Sequence, residues 1–125
     1  MNQAQYDLIK TSVADWNDWR IEHPLSRPDL SNSDMSGVNL RGANMSRADL
    51  SHADLQCANM DGAKLYGADL RCADCSYASL IDADLRHADL RDCQLRQANL
   101  IGADLRRADR RRADFTGAAM RAKWQ

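Results

Sequence analysis

A five-residue repeat runs through most of this sequence and limits its possible folds more than any other feature. From residue 30 to residue 120, Leu, Met or Phe occupies every fifth position except at Cys75 and Arg110. A small residue, usually Ala, lies two positions before each of these central residues, and Asp or Asn most often lies between them. Nineteen such repeats fill about three quarters of the 125 residues. The chain is therefore a repeat protein with the length of one domain.

Neither a continuous helix nor a continuous strand can bury residues that recur every five positions. On an α-helix, successive Leu residues would step around the cylinder by about 140°, and on a strand they would alternate between faces. A bend in each repeat keeps the Ala and the Leu on one side of a short extended segment. All six glycines lie two positions after a central residue, where we expect this bend. The sequence therefore predicts a solenoid, with its Asp and Asn side chains bonded to backbone donors at the turns.

The composition agrees with a narrow interior. The chain has 19 Ala and 14 Leu but only six Val or Ile and one Phe, and its mean hydropathy is −0.62. Sandwiches, barrels and doubly wound domains are excluded, because their cores need a mixture of large, branched and aromatic side chains. The predicted core ladder includes Leu50, Leu55, Leu70, Leu85, Leu90, Leu100, Ala53, Ala68 and Ala88.

The motif Ala-(Asp/Asn)-Leu-x-x, as in Ala48-Asp49-Leu50 and Ala98-Asn99-Leu100, resembles the pentapeptide repeat family. The resemblance covers about residues 28–122 and implies an all-β solenoid, a right-handed quadrilateral parallel β-helix with four repeats per coil. Residues spaced by multiples of twenty support such a coil, since Asn recurs at positions 39, 59 and 99 and Arg at 71, 91 and 111. We expect about five coils in a stack about 23 Å tall.

Both ends of a solenoid expose its core and unpaired backbone, so each end needs a cap. Residues 1–27 are predicted to form an N-terminal α-helical cap and lead-in, with one helix that begins at Asn2 and ends before Pro24. The apolar face of this helix is predicted to contain Tyr6, Ile9, Val13, Trp16 and Trp19. The run from Trp16 to Arg20, with Pro24 and Pro28, resembles the lead-in of short cyanobacterial members of the family. A helix that binds a partner is the alternative.

The C-terminal end has little sequence with which to close it, because only a tail of residues 123–125 follows the repeats. Trp124 either folds over the last coil or meets a second copy in an end-to-end homodimer through the C-terminal coil. Arg110 occupies a central position, and its charge would be unstable deep in an apolar stack. We therefore expect Arg110 near the end of the stack, where its stem covers the core and its guanidinium reaches water.

Two groups of residues look like chemical sites, but the repeat argues against both. Cys72 and Cys75 form a C-x-x-C string, yet Cys72 should face outward, whereas Cys75 and Cys93 should face inward as small core residues. His52, Cys72 and Asp92 are spaced by twenty and should share an outer column. A catalytic triad needs its base between the nucleophile and the carboxylate, and we expect this wall to be convex. We expect no catalytic residue, no metal and no cofactor.

Charge is unevenly distributed along a nearly neutral chain. Residues 1–85 contain 7 basic and 13 acidic groups, and residues 86–125 contain 10 basic and 5 acidic groups. In one interpretation, Arg71, Arg91 and Arg111 neutralise a ladder of aspartates. In the other, the basic end binds an acidic partner, nucleic acid included. The candidate partner-binding residues are Arg106, Arg107, Arg111 and Arg112, together with Tyr66 and Tyr77, which are predicted to lie on adjoining faces in an apolar patch with Ile81 and Ile101.

These patterns favour a non-catalytic protein-interaction or scaffold module over an enzyme, with a protein partner that the sequence does not identify. The sequence does not favour nucleic acid or a small-molecule substrate as the partner. The family resemblance brings an alternative, a DNA-mimicking regulator of type II topoisomerase (DNA gyrase), which would need a continuous negative surface. The sequence shows no apolar stretch of about 18 residues and no secretory signal. We therefore expect no membrane association, reduced cysteines and a cytoplasmic location.

Overall fold

A computed structural model describes residues 1–124 and shows two helices followed by a stack of coils. Helix α1 spans Gln3–Thr11 and helix α2 spans Val13–Glu22. From Asp29 onward the chain forms isolated parallel bridges, and the described residues contain no strand of two or more residues. Within residues 1–124, neither helix has the length and apolarity needed to cross a membrane. The β structure therefore comes from the stacking of coils.

All of the bridges except the last join residues twenty positions apart, which fixes four repeats per coil. We number the four faces after the ladders that begin at Asp29 (face 1), Asp34 (face 2), Asn39 (face 3) and Asn44 (face 4). The ladder of face 1 contains Asp29, Asp49, Asp69, Asp89 and Asp109. Its levels are joined through the backbone, as where the Leu50 N–H donates to the Asp69 carbonyl at 2.7 Å. The predicted twenty-residue coil is confirmed.

A tight turn after each central residue forms the corners, which we number by the face that each one follows. At one of them the Ala43 N–H donates to the Leu40 carbonyl at 3.1 Å, and Gly42 has a φ of 65°. This combination is typical of a type II turn. The positive φ recurs at every corner from Asn32 to Gly117, and twelve of these residues are not glycine. Glycine therefore marks the bends correctly, but half of the bends are made by residues other than Gly, Asn or Asp, for which the left-handed conformation is strained.

The Leu and Ala columns form the core inside the coils. Each of the following side chains is no more than 2% exposed: Leu50, Leu55, Leu70, Leu85, Leu90, Leu100, Ala53, Ala68 and Ala88. Burying one Leu side chain is worth about 1.5–3 kcal/mol. Because every coil repeats the same pair of columns, the coils contribute similar amounts to stability.

The predicted single N-terminal helix is wrong at Ser12, where the chain ends α1 and begins α2. Ser12 has extended backbone, with a φ of −155°, and its N–H donates to the Leu8 carbonyl at the end of α1. Its hydroxyl accepts from the Asp15 N–H at 3.1 Å and so caps α2. Ser competes with the helical backbone for hydrogen bonds and favours such cap positions. Asn2 begins α1 and α2 ends before Pro24, as predicted.

The two helices cover the first coil. Ile9 and Trp16 are buried, and Tyr6, Val13 and Trp19 pack against the core in half-buried positions. These contacts are those of a cap.

Side chains of the helices also occupy the hydrogen-bonding groups that the first coil would otherwise leave unpaired. Trp16 Nε1 donates to the Asn44 carbonyl at 2.8 Å, while the Asn17 side chain accepts from the Asn44 N–H at 2.8 Å. Further bonds join Tyr6 to the Asp34 carbonyl, Asn17 to the Gly42 carbonyl, Arg20 to the Ser46 carbonyl and Gln5 to the Asp29 N–H. The cap therefore replaces the hydrogen bonds of a missing coil.

At the C-terminal end, the last corner is one residue shorter than the others. Lys123 bridges to Asp104, nineteen positions away, where the regular period would place residue 124. The shift brings Trp124 to the central position above Leu105. Its ring packs edge-to-face on Phe115 with centroids 5.6 Å apart, and the exposed Arg110 guanidinium lies 4.3 Å from the ring centre. Trp124 folds over the last coil, and the predicted place of Arg110 near the open end is confirmed.

Candidate interaction surfaces

The ladder residues bind the corner that follows them. Asp69 Oδ1 accepts from the Arg71 N–H at 3.0 Å, and Asn39 Oδ1 accepts from the Arg41 N–H at 3.1 Å. The same contact joins Asp114 to the Thr116 N–H at 2.9 Å. These are the turn-stabilising bonds that short polar side chains make to a backbone two residues ahead. The same local bond therefore recurs on all four faces and orders the outer wall.

Arginines of corner 1 are paired with the aspartates of face 1. Arg71 donates to both oxygens of Asp69, at 2.9 Å from Nε and 2.7 Å from Nη2, and its Nε lies 3.8 Å from Asp89 in the next coil. Arg91 and Arg111 donate to both oxygens of Asp89 and Asp109 in the same way. The hydrogen bonds from Arg111 lower the pKa of Asp109 to about 2. The first interpretation of the charge pattern, an arginine–aspartate ladder, is confirmed.

Three of the four candidate partner-binding arginines are paired within the molecule. Arg111 binds Asp109, Arg112 donates to both oxygens of Asp92 at 2.8 and 3.0 Å, and Arg106 donates to both oxygens of Asp104 at 2.8 and 2.6 Å. The Arg106 bonds lower the pKa of Asp104 to about 2. Arg107 differs, because its side chain makes no hydrogen bond or ion pair with any residue between 1 and 124. Arg106 and Arg111 each lie two positions after a ladder aspartate, a spacing that distinguishes them from Arg107 in the sequence.

The predicted apolar pair of Tyr66 and Tyr77 does not form. Tyr66 lies at corner 4 and Tyr77 at corner 2, diagonally across the solenoid. Eleven residues separate them, which is about half a coil and not one face. Tyr66 instead packs against His87, with ring centroids 5.1 Å apart. Ile81 and Ile101 lie at corner 3 and so do not join Tyr66 in one patch.

The cysteine residues follow the predicted register. Cys72 is exposed, whereas Cys75 and Cys93 are buried. A hydrogen bond with Cys75 and burial raise the pKa of the Cys93 thiol well above its ordinary value, so it stays a neutral core residue. The C-x-x-C string therefore does not present two sulfur atoms to one site.

His52, Cys72 and Asp92 share corner 1, but they do not assemble a triad. The carboxylate of Asp92 is bound by Arg112 from the coil beyond it and orients no base. The expectation of a convex wall is wrong here, because these residues line an open depression of about 270 Å³ together with Arg71 and other neighbours. Long arginine side chains form its rim, which the backbone path alone does not predict.

Comparisons with known proteins agree with this architecture. The family profile described as Pentapeptide repeats matches eight copies over residues 33–71, 73–109 and 88–121. A pentapeptide repeat protein of the Arabidopsis thaliana thylakoid lumen is 31% identical, with 81% of this chain and 68% of that chain covered and a TM-score of 0.64. HetL, a pentapeptide repeat protein involved in heterocyst differentiation regulation from Nostoc sp. strain PCC 7120, is 43% identical, with 78% and 48% covered and a TM-score of 0.65.

A second pentapeptide repeat protein of Nostoc PCC 7120 is 36% identical, with 82% of this chain and 74% of that chain covered and a TM-score of 0.51. This chain spans about half the length of HetL. The comparison with curated protein sequences gave no match.

Proposed function

Because the chain belongs to the pentapeptide repeat family, we propose that it is a non-catalytic protein-interaction or scaffold module, built as a right-handed quadrilateral β-helix and located in the cytoplasm. The observation that carries the proposal is the state of the outer wall. Many of its charged side chains are held in place by pairs within the molecule, such as Arg71 with Asp69 and Arg112 with Asp92. A wall of this kind presents a fixed pattern to a partner at a small entropic cost. The similarity to HetL supports a regulatory setting for such an interaction.

The alternative function, mimicry of DNA to regulate DNA gyrase, requires a continuous line of negative charge. Face 1 has such a line in sequence, with aspartate at all five levels. Arg71, Arg91 and Arg111 neutralise three of these levels. The charge pattern therefore favours the interaction module, and a supercoiling assay with purified gyrase and protein tests the alternative, since inhibition in the assay would support mimicry.

An end-to-end homodimer remains a separate proposal. Arg110, Arg111, Arg112 and Arg121 would bring like charges together at such a junction. Light scattering at low and high salt tests the homodimer, and a molar mass of two chains at either salt concentration would support it.

One exposed residue per corner provides a matched test of the interaction module. The variants Arg112→Asn, Tyr77→Ser, Ile101→Ser and Arg107→Asn alter corners 1 to 4 in turn without touching the core. We expect the full chain to capture a partner from its native host, and one variant to lose that capture while its thermal melting curve stays unchanged. Capture that is equal in all four variants, or absent from the wild-type chain, would contradict the proposal.

A further inference from the structure

Corner 4, which joins face 4 to face 1, concentrates positive charge at four of the five levels of the stack. Its ten positions are Ser26, Arg27, Ser46, Arg47, Tyr66, Gly67, Arg86, His87, Arg106 and Arg107. Five of the ten are arginine and none is Asp or Glu. The first level stacks on the second, since Arg27 Nε donates to the Arg47 carbonyl at 3.2 Å. We call these ten residues the basic corner.

The cations of the basic corner are only partly neutralised. Arg86 and Arg106 hold the ladder aspartates of face 4 in their own coils. Arg47 donates to the Pro24 carbonyl at 2.7 Å. Neither Arg47 nor Arg107 has a carboxylate partner among residues 1–124. Arg27 reaches Asp69 only at 3.9 Å. By contrast, all four arginines of corner 1 are paired with aspartates at 3.0 Å or less. Corner 4 is therefore the cationic ridge of the molecule.

The upper half of this ridge contains a depression that suits an anion. Arg86, His87, Arg106 and Arg107 line an open space of about 340 Å³. The Arg86 guanidinium lies 5.3 Å from the centre of the Tyr66 ring, which is 40% exposed beside it. A carboxylate in the depression would contact guanidinium groups from two successive coils. The ring of Tyr66 would pack against the apolar part of the side chain that carries this carboxylate.

We propose that the basic corner binds an extended acidic segment of a partner protein, an inference that rests on the proposed function. Successive levels are about 4.8 Å apart, so the ridge from Arg27 to Arg107 is about 19 Å long. An extended chain rises about 3.3 Å per residue and points alternate side chains to one side. About six residues with carboxylates at every second position therefore cover the ridge.

The neighbouring faces limit the width of the partner. The aspartate ladder of face 1 lies on one side of the ridge, and Asp84 and Asp104 of face 4 lie on the other. A duplex, with phosphates on two strands, would bring negative charge over these carboxylates. A single acidic peptide can follow the ridge without crossing them. The observations therefore favour a peptide over nucleic acid.

Fluorescence anisotropy with the full chain tests this inference. The probe is a labelled eight-residue peptide of alternating Glu and Ser, and its controls are the Gln–Ser peptide and a single-stranded oligonucleotide of equal charge. We expect the Glu–Ser peptide to bind in 50 mM salt and to weaken severalfold at about 0.5 M salt, because screening shortens the reach of exposed charges. The Gln–Ser peptide should not bind.

Arg107→Asn and Arg112→Asn form a matched pair of variants. Both residues are exposed, both have a φ near 60°, and they occupy the same coil at neighbouring corners. Asn tolerates this conformation. We expect Arg107→Asn to weaken binding about fivefold, consistent with the loss of one exposed charge contact, Arg107→Lys to retain most of it, and Arg112→Asn to leave it unchanged.

Four results would overturn the inference. These are no binding of the Glu–Ser peptide, equal losses in the two Asn variants, no loss in either of them, and tighter binding of the oligonucleotide with the same dependence on Arg107. If a cellular partner were still captured and lost by substitution at another corner, the proposed function would stand while this inference failed.

Discussion

The two ends of the solenoid are closed by different means. At the N-terminal end, α1 and α2 bury Ile9 and Trp16 and supply side-chain hydrogen bonds to the first coil. At the C-terminal end, the chain's own last repeat folds over the stack, and Trp124 is only half-buried. The N–H groups of Arg110 and Phe115 there have no acceptor among residues 1–124. One end thus has apolar cover and hydrogen bonds, whereas the other has chiefly apolar cover.

This difference shows what a solenoid cap must supply. Apolar cover removes the exposed core from water, but unpaired backbone still forms an edge that other chains can join. The helical cap meets both needs with residues that lie outside the repeat. The C-terminal repeat meets the first need by shortening one corner. We therefore expect the N-terminal end to be the more stable of the two.

The two tryptophans provide the largest expected contrast. Trp16→Ala removes a fully buried side chain and the Nε1 bond to the Asn44 carbonyl, and we expect the free energy of unfolding to fall by about 3–5 kcal/mol. Trp124→Ala removes a half-buried ring and should cost about 1–2 kcal/mol. Urea unfolding followed by circular dichroism measures both. Tyr77→Ala, at an exposed residue, is the control, and equal losses at the two tryptophans would contradict the comparison.

The same substitution at two arginines gives the next contrast. Arg20 is buried and donates to the Ser26 and Ser46 carbonyls, both at 2.9 Å. We expect Arg20→Met to destabilise by about 2 kcal/mol, because these carbonyls lose their donor. Arg110→Met, at the exposed end, should change stability by less than about 0.5 kcal/mol. A larger loss at Arg110, measured by the same unfolding experiment, would reverse this ranking.

Acid should weaken the C-terminal coils through the loss of two ion pairs. Asp104 and Asp109 have pKa values of about 2 because of their arginine bonds, against about 3.9 in an unfolded chain. Their pairs therefore contribute fully above about pH 4 and are lost as the pH falls through about 2. The cap's bonds to the Asn44 and Gly42 carbonyls do not titrate in this range, whereas its Met1 amino group pairs with the carboxylate of Asp29 at 3.2 Å.

An NMR titration of the side-chain carboxyl carbons checks this pH dependence. We expect Asp104 and Asp109 to titrate with midpoints near 2, and Asp109 to move toward 4 in Arg111→Gln. A midpoint near 4 for Asp109 in the wild-type chain would show that the pair does not hold in solution.

The smallest effect is expected from repairing the shortened corner. A Gly inserted between Arg121 and Ala122 would restore the five-residue period and still place Trp124 at a central position. Gly adopts the left-handed turn conformation without strain, so we expect stability to change by less than about 1 kcal/mol. The matched insertion between His87 and Ala88 would move all later repeats out of register and should prevent cooperative unfolding. Similar changes in stability from the two insertions would contradict the prediction that the last corner tolerates an extra residue better than an internal corner.

Much of this architecture is predictable because a single repeat period assigns nearly every residue to a buried column, a ladder or a corner. The five-residue period assigns the buried columns, and a coil of twenty places Arg110 at the open end. The same arithmetic separates Tyr66 from Tyr77 by half a coil, so the sequence alone contradicts the predicted patch that contains both tyrosines. Short polar side chains at the ladder positions explain the turn bonds in the same way.

Other features depend on capping bonds and side-chain contacts, which the repeat period does not predict. The apolar spacing of the cap continues across Ser12, and only the capping bonds of that residue decide in favour of two helices. The shortened corner places Trp124 against Phe115 and Arg110, and the five-residue period does not predict these contacts. The pairing of Arg112 with Asp92 in the preceding coil and the lack of a partner for Arg107 depend on side-chain geometry. These are the features that shape the surface and therefore the function.

Residue-resolved hydrogen exchange in the full chain tests the difference between the two ends most directly. The amides of Leu30 and Met35, bonded to the Asp49 and Asp54 carbonyls beneath the cap, should exchange close to the rate of global unfolding. The amide of Leu105, bonded to the Lys123 carbonyl, should exchange much faster through local opening of the last coil. Equal protection at the two ends, or stronger protection at Leu105, would contradict the account.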